Sequence, residues 1–441
     1  MSRLRAFNEQ ELIDHVTAQR WYASKGREVS RTWILDHIEL PALLLGLVEA
    51  VFPEGTHEVY QLIAGESLDG LGEPAVAREL VHLIRTGEPH RTAGGGAVEF
   101  SHLEGSAALG SELTSMRLID AEQSNTAVVF DDALFLKAFR RLEPGMNPEL
   151  EMLRFLTDHG FRSIPPLGGW YSYVGPPLET TLGILQEFVP NAVDGWELAL
   201  DELAQAPDRF LGRLRPLGEV TGRMHTTLAS DPDDPNFAPE HPSPESLGLL
   251  TASVDEEIEQ LFLTLPENVP SLEPIKGRGE EIRDRLSLLT HAGTSGMAIR
   301  NHGDLHLGQT LRTDEAWIIL DFEGEPARSV AERRRKRSPV RDVAGMLRSF
   351  AYATSAVRFL RGAEAPPGWE QAARAEFLDG YLETVDPAII PAGREQFDKL
   401  LAVFELEKAV YELRYELNMR PDWLPIPVAG ILRMLEEPVA Q

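Results

Sequence analysis

Asn301-His302-Gly303-Asp304-Leu305-His306-Leu307-Gly308-Gln309 is the stretch that decides how this 441-residue chain is read. A second acidic cluster, Asp321-Phe322-Glu323-Gly324-Glu325-Pro326, begins twelve residues after Gln309. The apolar run Trp317-Ile318-Ile319-Leu320 between them reads as a strand, so the order is loop, strand, acidic turn. Phosphoryl transfer needs that layout, because it asks for a positioned hydroxyl, a metal bridging the phosphates and neutralised charge rather than covalent work. Asp304 can accept the proton of an acceptor hydroxyl. Gln309 and Asp321 offer the hard oxygen ligands that suit Mg²⁺. Gly303 allows a sharp backbone turn before the base. His-Gly-Asp alone is usually a structural turn; a second Asp after a short strand is what makes it chemistry.

Working outward, a nucleotide needs an anchor for its phosphates. Leu134-Phe135-Leu136-Lys137-Ala138-Phe139 is an apolar strand with one embedded Lys, which is costly there unless it is paired or touches a ligand. Asn147-Pro148-Glu149-Leu150-Glu151 then opens a helix with Pro148 in its first turn, and Glu151 is the expected partner of Lys137. The alternative is an edge strand whose Lys snorkels to water. Upstream, the turn Asp120 to Thr126 leads into the strand Ala127–Phe130, where a phosphate-covering loop belongs. It has no GxGxxG, and the chain has no GxxxxGK[ST]. Ser124, Asn125 and Thr126 with backbone amides are the expected phosphate cradle; an ordinary hairpin turn is the alternative.

These residues, together with Arg20-Trp21-Tyr22-Ala23, Arg341-Asp342-Val343-Ala344-Gly345, Lys408-Ala409-Val410-Tyr411-Glu412 and Arg420-Pro421-Asp422-Trp423, resemble the actinobacterial maltokinases and related glucosamine kinases, which share the aminoglycoside-phosphotransferase fold. The matching stretches span essentially the whole chain. The resemblance implies an α+β, bilobal protein-kinase-like fold with an extra N-terminal α/β cap. It implies Asp304 as catalytic base, Gln309 and Asp321 as Mg²⁺ ligands, and Lys137 with Glu151 serving ATP. Gln186-Glu187-Phe188-Val189 would be the hinge that meets adenine, with Glu187 and Val189 as its contacts. Asp342 would brace the catalytic loop. The stretch 191–229 is shorter than in maltokinases, and 231–245 is a different loop.

Composition sets outer bounds. The length suggests two or three structural units, and the absence of cysteine excludes disulfides and thiolate metal sites. The start, Met1 to Arg5, lacks a signal peptide's apolar core, and no stretch approaches a membrane span, so a cytoplasmic protein with no membrane partner is expected. A net charge of −28 excludes a general nucleic-acid role. It also opposes ATP, so a local positive field is required. The basic run Arg333 to Arg337 reads as a solvated loop, or alternatively as phosphate neutralisation near Asp321.

Along the chain, residues 1–90 read as the cap unit: a helix from Glu9 to Arg20, strands over 31–38, 42–51 and 57–63, and a helix from Pro74 to Arg85. Gly94-Gly95-Gly96 reads as a linker. Residues 97–190 form the nucleotide-binding lobe and 191–441 a mainly helical lobe carrying the catalytic loop and sugar site. Residues 231–245 read as a mobile loop. Phe404 to Leu417 reads as a helix with Leu406, Val410, Leu413 and Leu417 facing the core and Glu405, Lys408, Glu412, Tyr415 and Glu416 on the other side. Pro421 stops it.

On the residues alone, a Trp in this Pro-rich loop usually packs the helix end; the resemblance places sugar contacts in this segment, which implies His306, Glu412, Glu416 and Trp423 as the sugar contacts, the ring stacking and the acids taking hydroxyls. An acid-rich pocket suits a protonated amine. The expected reaction is therefore ATP-dependent phosphorylation of glucosamine to glucosamine 6-phosphate. Maltose, giving maltose 1-phosphate, is the first alternative; an aminoglycoside phosphotransferase and a catalytically silent nucleotide-binding regulator stand behind it.

Overall fold

Asn8 opens the first helix with a reciprocal cap: its side chain accepts from the Glu11 amide while Glu11 accepts from the Asn8 amide. The helix, α1 (Glu9–Ala18), buries Leu12 and Val16 against a meander of β1 (Arg31–Glu39), β2 (Leu44–Val51) and β3 (His57–Ala64). Trp21 and Tyr22 pack on Tyr60 in the same core. The computed structural model describes residues 8–22, 24–103, 110, 112–119, 124–290, 296–325 and 328–436. It divides into two compact units, residues 1–191 with 328–330, and residues 192–327 with 331–441.

In the first unit, α2 (Pro74–Thr86) follows, then β4 (His90–Arg91), β5 (Ala97–His102), β6 (Met116–Ile119), β7 (Asn125–Phe130), β8 (Leu134–Phe139), β9 (Arg141–Leu142), α3 (Pro148–Asp158), β10 (Leu167–Val174) and β11 (Thr180–Glu187). Two antiparallel sheets result, ordered β1-β2-β3-β9 and β4-β5-β10-β11-β8-β7-β6. The glycine tract at 94–96 is not a linker but the turn of the β4–β5 hairpin. The Gly94 amide and the Thr92 and Tyr173 hydroxyls all donate to buried Asp36. The cap strands and the larger sheet therefore form one unit. Buried Gln61 of β3 joins them, donating to the Phe139 and Leu182 carbonyls at 2.7 and 2.6 Å and accepting from Tyr171 at 2.9 Å.

The second unit begins with β12 (Val193–Asp194), α4 (Gly195–Gln205) and α5 (Pro207–Leu228), continuing with α6 (Pro244–Leu263), α7 (Gly279–Thr290), β13 (Thr310–Arg312) and β14 (Trp317–Ile319). After the short α8 (Val330–Arg333) come α9 (Val340–Arg361), α10 (Trp369–Thr384), α11 (Arg394–Met419) and α12 (Pro425–Glu436). The three short strands pair as β12-β13-β14. Helices α6, α7, α11 and α12 share an apolar core in which Leu406, Val410 and Leu413 are buried.

Two surface readings change. The loop over 231–245 is pinned rather than mobile: Phe237 is buried under Arg300, Glu240 bridges to Ala298, and Lys336 donates to the Pro235 carbonyl and to Glu240. The basic run is correspondingly not a free solvated loop, since Lys336 holds that segment and Arg333 donates to the Glu323 carbonyl at 3.1 Å.

Helices α5 and α10 cross backbone to backbone. A Cβ at Gly218 would lie 2.0 Å from the Phe377 carbonyl oxygen, and one at Gly380 2.1 Å from that of Arg215. Alanine normally favours a helix by ~1 kcal/mol over glycine, but here it must drive two backbones apart. Gly380→Ala is therefore expected to lower stability by about 2 kcal/mol net. Urea unfolding checks this, and a midpoint at or above wild type would contradict the packing.

Candidate active site

The loop 301–309 is built around buried Asp342 at the start of α9. Its carboxylate accepts the amides of His302 and Gly303 at 2.7 and 2.9 Å. Gly303 sits at φ +86°, a left-handed conformation that a side chain would strain. The expected bracing role of Asp342 thus has a concrete form. Behind it, His225 of α5 lies 3.1 Å from Asp342 Oδ2 and 3.0 Å from the Tyr381 hydroxyl of α10. Since a carboxylate only accepts, His225 Nε2 donates and Nδ1 takes the Tyr381 proton. Burial pushes the Asp342 carboxyl up, but the hydrogen bond from His225, the nearby His225 and His302 rings and the Gly303 amide outweigh it and hold it below the usual range.

The loop also grips the strand that carries the second Asp. His302 Nε2 donates to the Leu320 carbonyl at 2.7 Å and its Nδ1 accepts the Asp304 amide at 3.3 Å. Its ring lies 4.9 Å from Phe322. The Leu320 amide donates to the Gln309 carbonyl. Gln309 and Asp321 are consequently adjacent, with Gln309 Nε2 3.1 Å from Asp321 Oδ2. Rotating the Gln309 amide presents its oxygen instead, giving two hard donors side by side; the pair fits a Mg²⁺ ion. Asp321 holds φ +57°, a sparsely populated conformation for a residue with a side chain.

Asp304 opens onto a cleft of about 730 Å³ within the second unit. Its walls are Asp194 and Trp196 at the start of α4, His306 and Gly308 of the loop, Glu325, and Gly345, Ser349 and Tyr352 of α9. Lys408, Tyr411, Glu412, Tyr415 and Glu416 of α11, with Arg420 and Trp423, complete it. The α11 residues recur at three- and four-residue spacing and so share one helix face. Gly345 is required where α9 meets the loop, since a Cβ there would fall 2.6 Å from the Leu305 carbonyl oxygen.

The lining carries five carboxylates against two permanent cations, Lys408 and Arg420. Each acid is fixed. Lys408 Nζ lies 3.3 Å from Asp304 Oδ1 and 3.2 Å from Glu325 Oε1. Burial alone would lower the Lys408 ammonium, but these two charges outweigh it and raise its pKa. Buried Arg348 forks onto Glu412 at 2.6 and 3.0 Å. Glu416 accepts from Tyr352 at 3.2 Å and from both sides of the Arg420 fork at 2.7 and 2.9 Å. Asp194 caps α4 through the Trp196 and Glu197 amides, and burial pushes its carboxyl up.

The cleft gathers four expected sugar residues, His306, Glu412, Glu416 and Trp423. His306 Nδ1 accepts the Gly308 amide at 3.1 Å, and burial pushes its imidazole down against the pull of Asp304. The Trp423 ring is engaged by Tyr352, stacked at 6.3 Å, and by the Arg420 guanidinium at 4.7 Å. It is built into the wall by both. Glu405, expected on the same helix side, turns instead into a buried ion pair with Arg374. Residue spacing on α11 exposed Glu412 and Glu416. Nothing comparable marked Arg348 and Tyr352, which lie within the apolar run of α9.

In the first unit, β8 lies between β7 and β11, so Lys137 is interior and not on an edge. Its ammonium meets Glu149 Oε2 at 3.0 Å, both side chains buried. Glu149 is thus a partner of Lys137 that the reading of Glu151 alone did not name. Asn147 caps α3 through the Glu149 amide and sets the helix phase. Glu151, two residues further along α3, is buried as well. The phosphate cradle is divided too: Asp120 to Gln123 lie outside the described residues. Asn125 is buried and donates to exposed Ser124 at 3.2 Å. Thr126, next along the strand, points to the other face and accepts from buried Arg140 at 2.7 Å. Glu187 ends β11 and Val189 follows, half-buried, just before the division at Asn191.

Because the folded Asp342 carboxyl lies below its unfolded value of about 3.9, its contribution is present at neutral pH and lost as pH falls through the folded value. Asp342→Asn is expected to lose about 3 kcal/mol at neutral pH, with the gap from wild type narrowing below about pH 4. Urea unfolding across pH tests this; a gap independent of pH would contradict it.

No family model matches the chain. The glucosamine kinase of Streptacidiphilus jiangxiensis is 27% identical over 340 residues, covering 74% of each chain. That of Mycolicibacterium smegmatis is 28% identical over 334 residues, covering 73% of this chain and 80% of the other. Among solved structures, a glucosamine kinase in complex with glucosamine, ADP and inorganic phosphate aligns over 96% of this chain and 99% of its own, at 21% identity and a TM-score of 0.71. The chain is thus similar in sequence to glucosamine kinases, and its fold is the bilobal, kinase-like α+β fold of that structure.

Proposed function

We propose that this chain is an ATP-dependent sugar kinase whose acceptor is glucosamine, the product being glucosamine 6-phosphate. The observation that carries the reading is the acid-rich cleft into which Asp304 of the loop 301–309 opens. An acceptor bearing an ammonium group lowers the excess negative charge of that lining, whereas a neutral sugar does not. The kinship with glucosamine kinases supports the same choice.

In the proposed reaction the acceptor hydroxyl oxygen attacks the γ-phosphorus of ATP, the bond to the ADP oxygen breaks, and the hydroxyl proton passes to Asp304. Asp304 orients that hydroxyl, since the transition state is loose and positioning does most of the work. Gln309 and Asp321 would hold Mg²⁺, which when bound neutralises phosphate charge and fixes the leaving oxygens. Lys137, steadied by Glu149, is the cation for the nucleotide's phosphates. Glu416 and Glu412 face the sugar. Among the described residues no helix is long and apolar enough to cross a membrane, and we place the enzyme in the cytoplasm.

The cleft has room for a disaccharide, so the deciding assay is ATP turnover on glucosamine, glucose and maltose side by side. Glucosamine is expected to be turned over fastest; activity on maltose alone would overturn the assignment. Asp304→Asn is expected to lower kcat by roughly 1,000-fold while ATP still binds; retained turnover would remove Asp304 from the role. Glu416→Gln is expected to raise KM for glucosamine about tenfold and leave KM for ATP unchanged. Equal increases for glucosamine and glucose would mean the carboxylate does not read the amine.

A further inference from the structure

We propose that Lys408 is a positioning residue for the transfer, holding the Asp304 carboxylate in the orientation that receives the acceptor hydroxyl; the inference rests on the kinase reading above. Asp342 fixes the amides of His302 and Gly303, yet nothing in that grip sets the side-chain torsions of Asp304. Among the described residues, Lys408 is the side chain that bonds the Asp304 carboxylate, at 3.3 Å. It reaches it from α11, more than a hundred residues away in sequence.

The ammonium is itself tethered. Its second bond, 3.2 Å long, goes to Glu325. Arg341 holds Glu325 at 3.3 Å and Glu407 at 3.0 Å. Glu407 neighbours Lys408 on α11, so the network closes from α9 back to the helix that carries the cation. The side chain is largely covered and runs past Gly345, whose missing Cβ would come within 3.9 Å of Lys408 Cε. An ion pair that only stabilised the fold would have no reason to line the cleft, and both Asp304 and Lys408 do.

Removing the ammonium would leave Asp304 and Glu325 as like charges facing one space, with repulsion turning Asp304 away from the acceptor. A displacement of about 1 Å at a reacting group lowers rates by about 100-fold. The defect belongs in kcat, because the sugar's other contacts are untouched. Arginine keeps the charge and reach but not the point geometry of the ammonium, so it restores the function in part.

The test uses the full chain with Mg-ATP and glucosamine, comparing wild type, Lys408→Met, Lys408→Arg and Glu325→Gln. Lys408→Met is expected to lower kcat by about 100-fold with both KM values within about threefold. Lys408→Arg is expected to recover about tenfold of that loss, and Glu325→Gln, which loosens the ammonium without removing it, to give a smaller fall of the same kind. A kcat within about threefold of wild type, a loss carried by KM, or an arginine variant no better than methionine while melting like wild type would each overturn the inference. If wild type phosphorylates none of the sugars, the kinase reading falls, and a crystal structure of Lys408→Met or Lys408→Arg decides separately. Asp304 turned away in the methionine variant, or shifted with the guanidinium in the arginine variant, sustains the positioning role; Asp304 unmoved overturns it.

Discussion

The grip of the Asp342 carboxylate on two successive amides is the constraint on which the second unit's chemistry depends. It fixes His302 and left-handed Gly303, and with them the direction in which the chain leaves toward Asp304. His302 carries the same order to the end of β14, so that Asp321 and Gln309 meet. Asp342 is in turn held by His225 and Tyr381. Those residues stand on α5 and α10, and the two helices approach closely only because glycines occupy their crossing. A packing detail far from the cleft thereby sets the geometry of the loop.

Electrostatics in this chain are local rather than global. A net charge of −28 says little about the cleft, where every acid has a defined partner: Lys408, Arg348, Arg420 or the amides of α4. Long buried ion pairs of this kind give geometry more than stability, since desolvation offsets much of their attraction. What survives is a fixed pattern of carboxylates with a modest surplus of negative charge, which is the feature a cationic sugar can read.

The sequence made legible those features that rest on short-range rules. The loop 301–309, the strand and the acidic turn need only glycine conformational freedom and alternation. The α11 face needs only helical spacing, and the cap strands only their apolar pattern. What stayed hidden depends on phase and on distant partners. That Glu149 meets Lys137 depends on where Asn147 starts α3, and two residues along a helix turn a side chain by about 200°. The three glycines at 94–96 look like a linker until Asp36, almost sixty residues earlier, supplies the carboxylate their turn requires. Thr126 reads as a phosphate ligand until strand alternation and Arg140 place it on the opposite face. Nothing in the spacing of α5 or α9 singles out His225, Arg348 or Tyr352, and only the folded chain reveals what they touch.

Helix α11 carries at one end of its polar face the cation that meets the base, and about two turns on the carboxylate proposed to meet the sugar. Both hang from a single rod whose opposite side is locked into α6, α7 and α12. Substrate choice and reactivity are therefore mechanically geared. A core substitution that slides this rod along its axis displaces both ends by the same amount, so new acceptors are reached more readily by exchanging side chains on the rod than by repacking beneath it.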